Sequence, residues 1–169
     1  MFYINCFLLY SILGYLLETL AAFITKSNFK SGILFGPWTP VYGLGAVLII
    51  LISRYFFVNL HMPRWKETII VFIVITFVLT LIEWIGGIGI EFLFKKVFWD
   101  YSSDPTSIGH YISLRMSLIW GIGSIIFIYV IYPFLKNFIK HIPLYVTIPF
   151  ALLFLFDVVY TIVTKEKIT

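Results

Sequence analysis

Glu67–Phe94 reads ETIIVFIVITFVLTLIEWIGGIGIEFLF, and after its first residue the only ionisable side chains are Glu83 and Glu91. About 20 consecutive apolar residues suffice to cross the hydrocarbon core as a helix, so this stretch is a membrane span with length to spare. The excess predicts a helix that tilts, bends near Gly86-Gly87, or projects from the bilayer. A carboxylate at mid-membrane costs about 2.5–3.5 kcal/mol on insertion scales and persists where it is paired, hydrated or used. Glu83 and Glu91 are therefore the first functional candidates.

The rest of the chain has the same character. Over 169 residues it is 61% hydrophobic and 20% aromatic, with only 12% charged residues, and its mean hydropathy is +1.02. These values lie outside the range of soluble domains. Four further spans are predicted beside the third, at about 2–25, 42–57, 112–133 and 143–164. The expected architecture is an all-α polytopic membrane helix bundle of about five transmembrane helices, forming a single integral membrane domain over 1–169. The first span lacks a basic leading region and holds Glu18, so it reads as a retained helix.

Before the second span the sequence changes texture. Gly32-Ile33-Leu34-Phe35-Gly36-Pro37-Trp38-Thr39-Pro40-Val41-Tyr42-Gly43 mixes apolar residues with two prolines and three glycines. Pro37 and Pro40 each lack a backbone donor, which predicts a broken or re-entrant entry whose freed carbonyls are received by protein or by a hydrated cavity. Such a segment can offer backbone groups to a ligand.

Several function classes are excluded or weakened. No glycine-rich phosphate loop ends in Lys-Ser or Lys-Thr, so ATP-driven activity needs a separate ATPase or another membrane subunit. The net charge of +4 is spread through the loops, which suits anchoring to a lipid bilayer and gives no reason to expect nucleic acid. The lone Cys6 cannot form an internal disulfide and reads as a core filler. Glu83, Glu91, Asp100 and His110 do not match a metal-ligand spacing, so no metal site is expected, and no cofactor is assigned. Trp65 and Trp99 fall where an interfacial aromatic belt belongs.

Spacing sharpens the acids. Glu83, Gly87 and Glu91 recur every four residues and share one helical stripe, with the carboxylates ~12 Å apart along the axis and a glycine gap that can admit a partner side chain. Tyr10, Gly14 and Glu18 repeat this on the first span, and Ser113, Ser117 and Gly121 form a small polar stripe on the fourth. Small residues let helices approach closely and hydroxyls bond across them. Arg115, one turn inside the fourth span, is the cation expected to hold one of these acids. Any of these acids can instead serve only to lock helices together, the reading favoured for Asp157. Glu67 reads as a helix N-terminal acid at the interface and Glu166 as a solvated tail charge. Trp99-Asp100-Tyr101-Ser102 is either a headgroup or cation contact or an Asx-type turn, with the turn favoured.

Basic residues barely separate the two membrane faces. Arg54, Arg64, Lys66, Lys136 and Lys140 oppose Lys26, Lys30, Lys95, Lys96, Lys165 and Lys167. The first helix decides for an outside N-terminus and a cytoplasmic C-terminus.

Taken together, Gly14-x-x-x-Glu18, the Ser31–Gly43 block with its Gly-Pro-Trp-x-Pro-x-Tyr-Gly core, Glu83-x-x-x-Gly87-x-x-x-Glu91, Trp99-Asp100-Tyr101-Ser102, Gly109 and Trp120-Gly121 resemble the bacterial family described as putative ABC-transporter type IV, CmpB-like, over about residues 10–133. The resemblance implies a multispanning protein of the bacterial cytoplasmic membrane and a permease role. The resulting expectation is a permease or transporter subunit with an intramembrane site for a small solute or lipid-like ligand, built from Glu18, Gly36, Pro37, Trp38, Pro40, Tyr42, Glu83, Glu91, Trp99, Asp100 and Arg115. In that expectation the carboxylates take up a cation or proton and Arg115 balances one of them. Two alternatives stand beside it: an intramembrane enzyme acting on lipid headgroups with Asp100, His110 and one glutamate as acid and base, or a scaffold or regulatory subunit without chemistry.

Overall fold

A computed structural model describes residues 1–26 and 32–164. Lys30 and Ser31, and the tail residues Lys165, Glu166 and Lys167, lie outside the described residues. The chain is all-α, with helices α1 (Phe2–Thr25), α2 (Pro40–Asn59), α3 (Arg64–Phe94), α4 (Leu114–Ile126), α5 (Tyr132–Lys140) and α6 (Leu144–Thr164), plus a two-residue hairpin of β1 (Ser107–Ile108) and β2 (Ile112–Ser113). Five helical stretches are long and apolar enough to span a membrane, the fourth being the continuous run Leu114–Lys140. Large apolar side chains such as Phe23, Phe77, Phe92 and Val163 are turned outward, the arrangement that lipid rather than water rewards.

Differences from the sequence expectation have local causes. α2 begins at Pro40 rather than Tyr42, because proline is preorganised for the first helical position, where its missing N–H costs nothing. α3 passes through Gly86-Gly87 as continuous helix. The fourth span outruns Pro133 by a π-helical turn at Phe127–Ile131, closed by the Tyr132 amide on the Phe127 carbonyl. Pro133 cannot donate to the carbonyl four residues back, and the widened turn just ahead of it carries the helix past that gap.

The chain forms two compact units, Met1–Val47 with Leu135–Thr169, and Leu48–Phe134. In the first, Leu8, Leu34 and Trp38 are the buried centre, with Phe7, Phe154 and Val158 packed on it. Asn5 is 4% exposed; its Oδ1 accepts from the Thr147 hydroxyl at 2.6 Å, and its Nδ2 donates to the Ile139 and Ile142 carbonyls at 3.5 and 3.4 Å. Gly14 seats the Tyr42 ring, and Gly43 lies against Ser11 and Phe7.

In the second unit α3 buries every fourth residue, Glu67, Val71, Ile75, Leu79, Glu83 and Gly87, and packs on α4, whose own buried stripe is Ser117, Gly121 and Ser124. Gly121 makes the close approach possible, since a Cβ there would collide with Thr76 Oγ1 and the Phe72 ring. Glu67 stands in the first turn of α3, as expected of a helix N-terminal acid; it is also buried, 3% exposed, and accepts from Arg64 at 3.1 Å.

Candidate functional site

The second unit assembles a carboxylate and aromatic cluster where α3 meets the 95–113 segment. The left-handed Lys95 ends α3, its amide bonded to the Glu91 carbonyl at 2.8 Å, and the chain then folds back over the helix. Asp100 and Asp104 shape that return as Asx-type turns, accepting the Ser102 and Thr106 amides at 2.8 Å each. The Tyr101 amide bonds the His110 carbonyl at 2.8 Å, and Gly109 supplies the positive φ of +70° that turns the hairpin. Two tyrosines are thereby delivered to the two glutamates of the α3 stripe.

Tyr101 donates its hydroxyl to Glu83 Oε1 at 2.9 Å, and Tyr111 donates to Glu91 Oε2 at 2.6 Å. Between them the Tyr111 ring lies on Gly87, where a Cβ would stand 2.5 Å from Cδ1; the glycine gap admits a partner side chain as its spacing suggested. Glu83 is 8% exposed. The Trp120 indole of α4 interacts with the same carboxylate, while Oε2 is buried with no donor at hydrogen-bond distance and angle. Trp99 packs edge-on to Tyr111 with centroids 6.0 Å apart, and its buried indole Nε1 has no hydrogen-bond partner. Glu91 is exposed and opens on a shallow depression of about 380 Å³ lined by Ile88, Glu91, Phe92 and Lys95.

Beyond Glu83 the contact with α4 mixes hydroxyls with the buried Leu79 and Ile75. Thr80 Oγ1 meets Ser117 Oγ at 2.8 Å, and one turn further the buried Thr76 Oγ1 has no hydrogen-bond partner. The outer rim is also hydroxyl-rich: Asp104 accepts from Ser113 Oγ at 2.9 Å and Thr106 Oγ1 at 2.7 Å. The Thr106 amide and hydroxyl, then Ser113, hold the Asp104 carboxyl below the usual carboxylate range. Ser102, aided by His110, does the same to Asp100. The bond to Glu91, with partial burial, pushes the Tyr111 phenol up to about 12, so Tyr111 is a neutral donor at every physiological pH.

Arg115 does not play its expected part. It is exposed at the start of α4 and acts on Asp104; among the described residues no ion pair joins it to Glu83 or Glu91. The reason is geometric: Ser113 caps α4 immediately before it and faces inward, which turns Arg115, two positions on, off the buried stripe. Phenols and an indole answer the glutamates instead.

Nor is the Asp100, Ser102 and His110 group a hydrolytic set. Ser102 Oγ contacts His110 Nδ1 at 2.8 Å, while Asp100 Oδ1 lies 3.4 Å from that same nitrogen. A relay needs the acid and the nucleophile on opposite ring nitrogens. The group is a turn.

The remaining candidates lie in the first unit. Asp157 of α6 accepts the Phe35 and Gly36 amides at 3.1 and 2.9 Å, so the backbone donors that the broken segment was expected to offer a ligand already have an acceptor. Trp38 is buried beside them, edge-on to Phe154 at 5.6 Å, and Gly36 is required because a Cβ would lie 2.6 Å from Trp38 Nε1. Pro37 is exposed, Pro40 starts α2, Tyr42 packs on Gly14, and Glu18 is half-buried on α1. Asp157 does structural work, as favoured, although its partners lie more than 120 residues away. Tyr111 joins the cluster without any local signal; Tyr101 and Trp120 sit inside motifs already singled out.

A family model described as Putative ABC-transporter type IV matches residues 5–164. No curated protein and no solved structure matches the chain.

Proposed function

Because the chain belongs to the Putative ABC-transporter type IV family and carries five span-length helices, we propose that it is a transport subunit whose α3 carboxylates bind a cation or proton. Glu91 is the outer acceptor and Glu83 the inner one; Tyr101, Tyr111 and Trp99 cover them, and Asp100 lies at the rim. The supporting observation is Glu83 itself: a buried carboxylate met by the Tyr101 hydroxyl and the Trp120 indole, with no ion pair to it among the described residues. A negative group at that depth without a counter-charge is costly unless a cation or proton completes it. The protein works in a bacterial cytoplasmic membrane, with its N-terminus outside and its C-terminus in the cytoplasm, and a separate ATP-hydrolysing chain supplies energy where energy is needed.

Ligand-linked stability tests this reading. A cation that binds the folded state stabilises it by about 2.7 kcal/mol at a hundredfold excess over its Kd. Unfolding of the purified protein should shift upward with one member of a panel of alkali-metal and organic ammonium ions, or with pH, and the shift should vanish in the Glu83→Gln, Glu91→Gln double variant. Equal shifts in both proteins, or none in either, would overturn it.

A further inference from the structure

We propose that the end of α3 holds the headgroup of an ethanolamine phospholipid, with Glu91 taking its ammonium and Lys95 its phosphate. The proposal rests on the reading of Glu91 as the outer cation acceptor and names the class of cation. α3 has 31 residues, a length of ~46 Å at 1.5 Å per residue, against ~30 Å of hydrocarbon in a bilayer. With α3 crossing, the excess carries its last turn into the headgroup layer, and Glu91 and Lys95 are both exposed there. A glutamate and a lysine four residues later ordinarily pair along a helix. These two do not: among the described residues no ion pair joins them. Lys95 leaves the helix in a left-handed conformation, φ 54°, and its ammonium sits over the Phe92 ring, 4.9 Å from the centroid. Glu91 Oε2 meanwhile is held by the Tyr111 hydroxyl at 2.6 Å.

The two opposite charges instead share the walls of the depression of about 380 Å³ with Ile88 and Phe92, a volume within the range of small-ligand sites. Charge complementarity selects the occupant. A bare cation answers Glu91 and leaves Lys95 without a partner; an anionic phospholipid answers Lys95 and is repelled by Glu91. A zwitterion with an ammonium a short link from its phosphate answers both. With Tyr111 on Oε2, Glu91 keeps its second oxygen as an acceptor for the N–H groups of a primary ammonium, which the quaternary ammonium of choline lacks. The negative C-terminal end of the α3 dipole adds to the attraction for that cation, and the Lys95 stem lies along apolar surface with its charge at headgroup level. Below the depression, Phe77, Trp84 and Ile88 fall on one helical face and are exposed, an apolar track along which the acyl chains of a seated headgroup can run.

Native mass spectrometry of the full chain in detergent, titrated with phosphatidylethanolamine, phosphatidylcholine or phosphatidylglycerol, gives the test. The ethanolamine lipid should bind more tightly than the other two, by up to roughly fivefold for a partly exposed ion pair. Glu91→Gln, which keeps an oxygen for Tyr111, should abolish that preference and strengthen phosphatidylglycerol binding, and Lys95→Gln should weaken all three lipids. Equal binding of the three by the unaltered protein, a preference that survives Glu91→Gln, or binding unchanged in Lys95→Gln overturns the proposal. The two readings fail separately. Stabilisation by a soluble cation that is lost in the Glu83→Gln, Glu91→Gln double variant, without any ethanolamine preference, removes the lipid site alone. An ethanolamine preference that needs Glu91, without any effect of soluble cations or pH through the two glutamates, removes the transport-site reading and leaves the lipid site.

Discussion

Gly87 and Gly86 are neighbours in sequence and opposites in role. A Cβ at Gly87 would lie 2.5 Å from Tyr111 Cδ1, whereas one at Gly86 meets nothing within 4 Å. Gly87→Leu should therefore destabilise the protein by roughly 1–3 kcal/mol through overpacking and detach Tyr111 from Glu91, while Gly86→Ala should be tolerated. Denaturant titration in detergent, with tyrosine hydroxyl infrared bands as the site readout, separates the two. The aspartates of the 95–113 segment make a pH prediction. Asp100 and Asp104 have carboxyls held below their ordinary range by local donors, so the stability they add is present above the unfolded carboxylate pKa and is lost as pH falls through the folded one. Hydrogen exchange at the Ser102 and Thr106 amides, corrected for intrinsic rate, should accelerate over that acid window. Asp104→Asn should flatten the response at Thr106.

At the scale of elements the broken segment shows how irregular backbone is kept inside a membrane protein. Pro37 and a positive-φ glycine, Gly32, interrupt helix over 32–39, and the amides so released need an acceptor. Asp157 receives two of them through one carboxylate. Asp157→Ala should cost roughly 1–3 kcal/mol for each amide left without an acceptor; Asp157→Asn, keeping a single carbonyl oxygen, should cost less. Unfolding midpoints of the two variants check the order. The α3–α4 pair uses the other strategy, with every fourth residue of α3 buried against a small-residue stripe, so helix contact and polar lining come from the same face.

For the molecule as a whole, the proposed topology, in which all five span-length helices cross, requires the two ends to lie on opposite faces of the bilayer. Tags at Met1 and at the C-terminus of the intact chain should be cleaved by protease from opposite sides of sealed vesicles, the N-terminal one from outside the cell. Cleavage of both from one side would mean that one of the five stretches does not cross. Composition and hydropathy alone made the class, the number of spans and most boundaries legible. The exceptions are Pro40, which starts a helix earlier than its ring suggests, and Tyr132–Lys140, whose extension past Pro133 depends on a π turn. The stripe of Glu83, Gly87 and Glu91 was also legible, because helical periodicity acts within one element. What meets that stripe was not. Arg115 was the natural counter-ion by charge, yet the fold sets phenols against both glutamates. Asp157 reaches amides more than 120 positions earlier in the chain. Local sequence determines where helices run and which residues share a face, since those follow from bond geometry and transfer into lipid. The partner across a face depends on how distant segments close around it, and only the tertiary structure decides that.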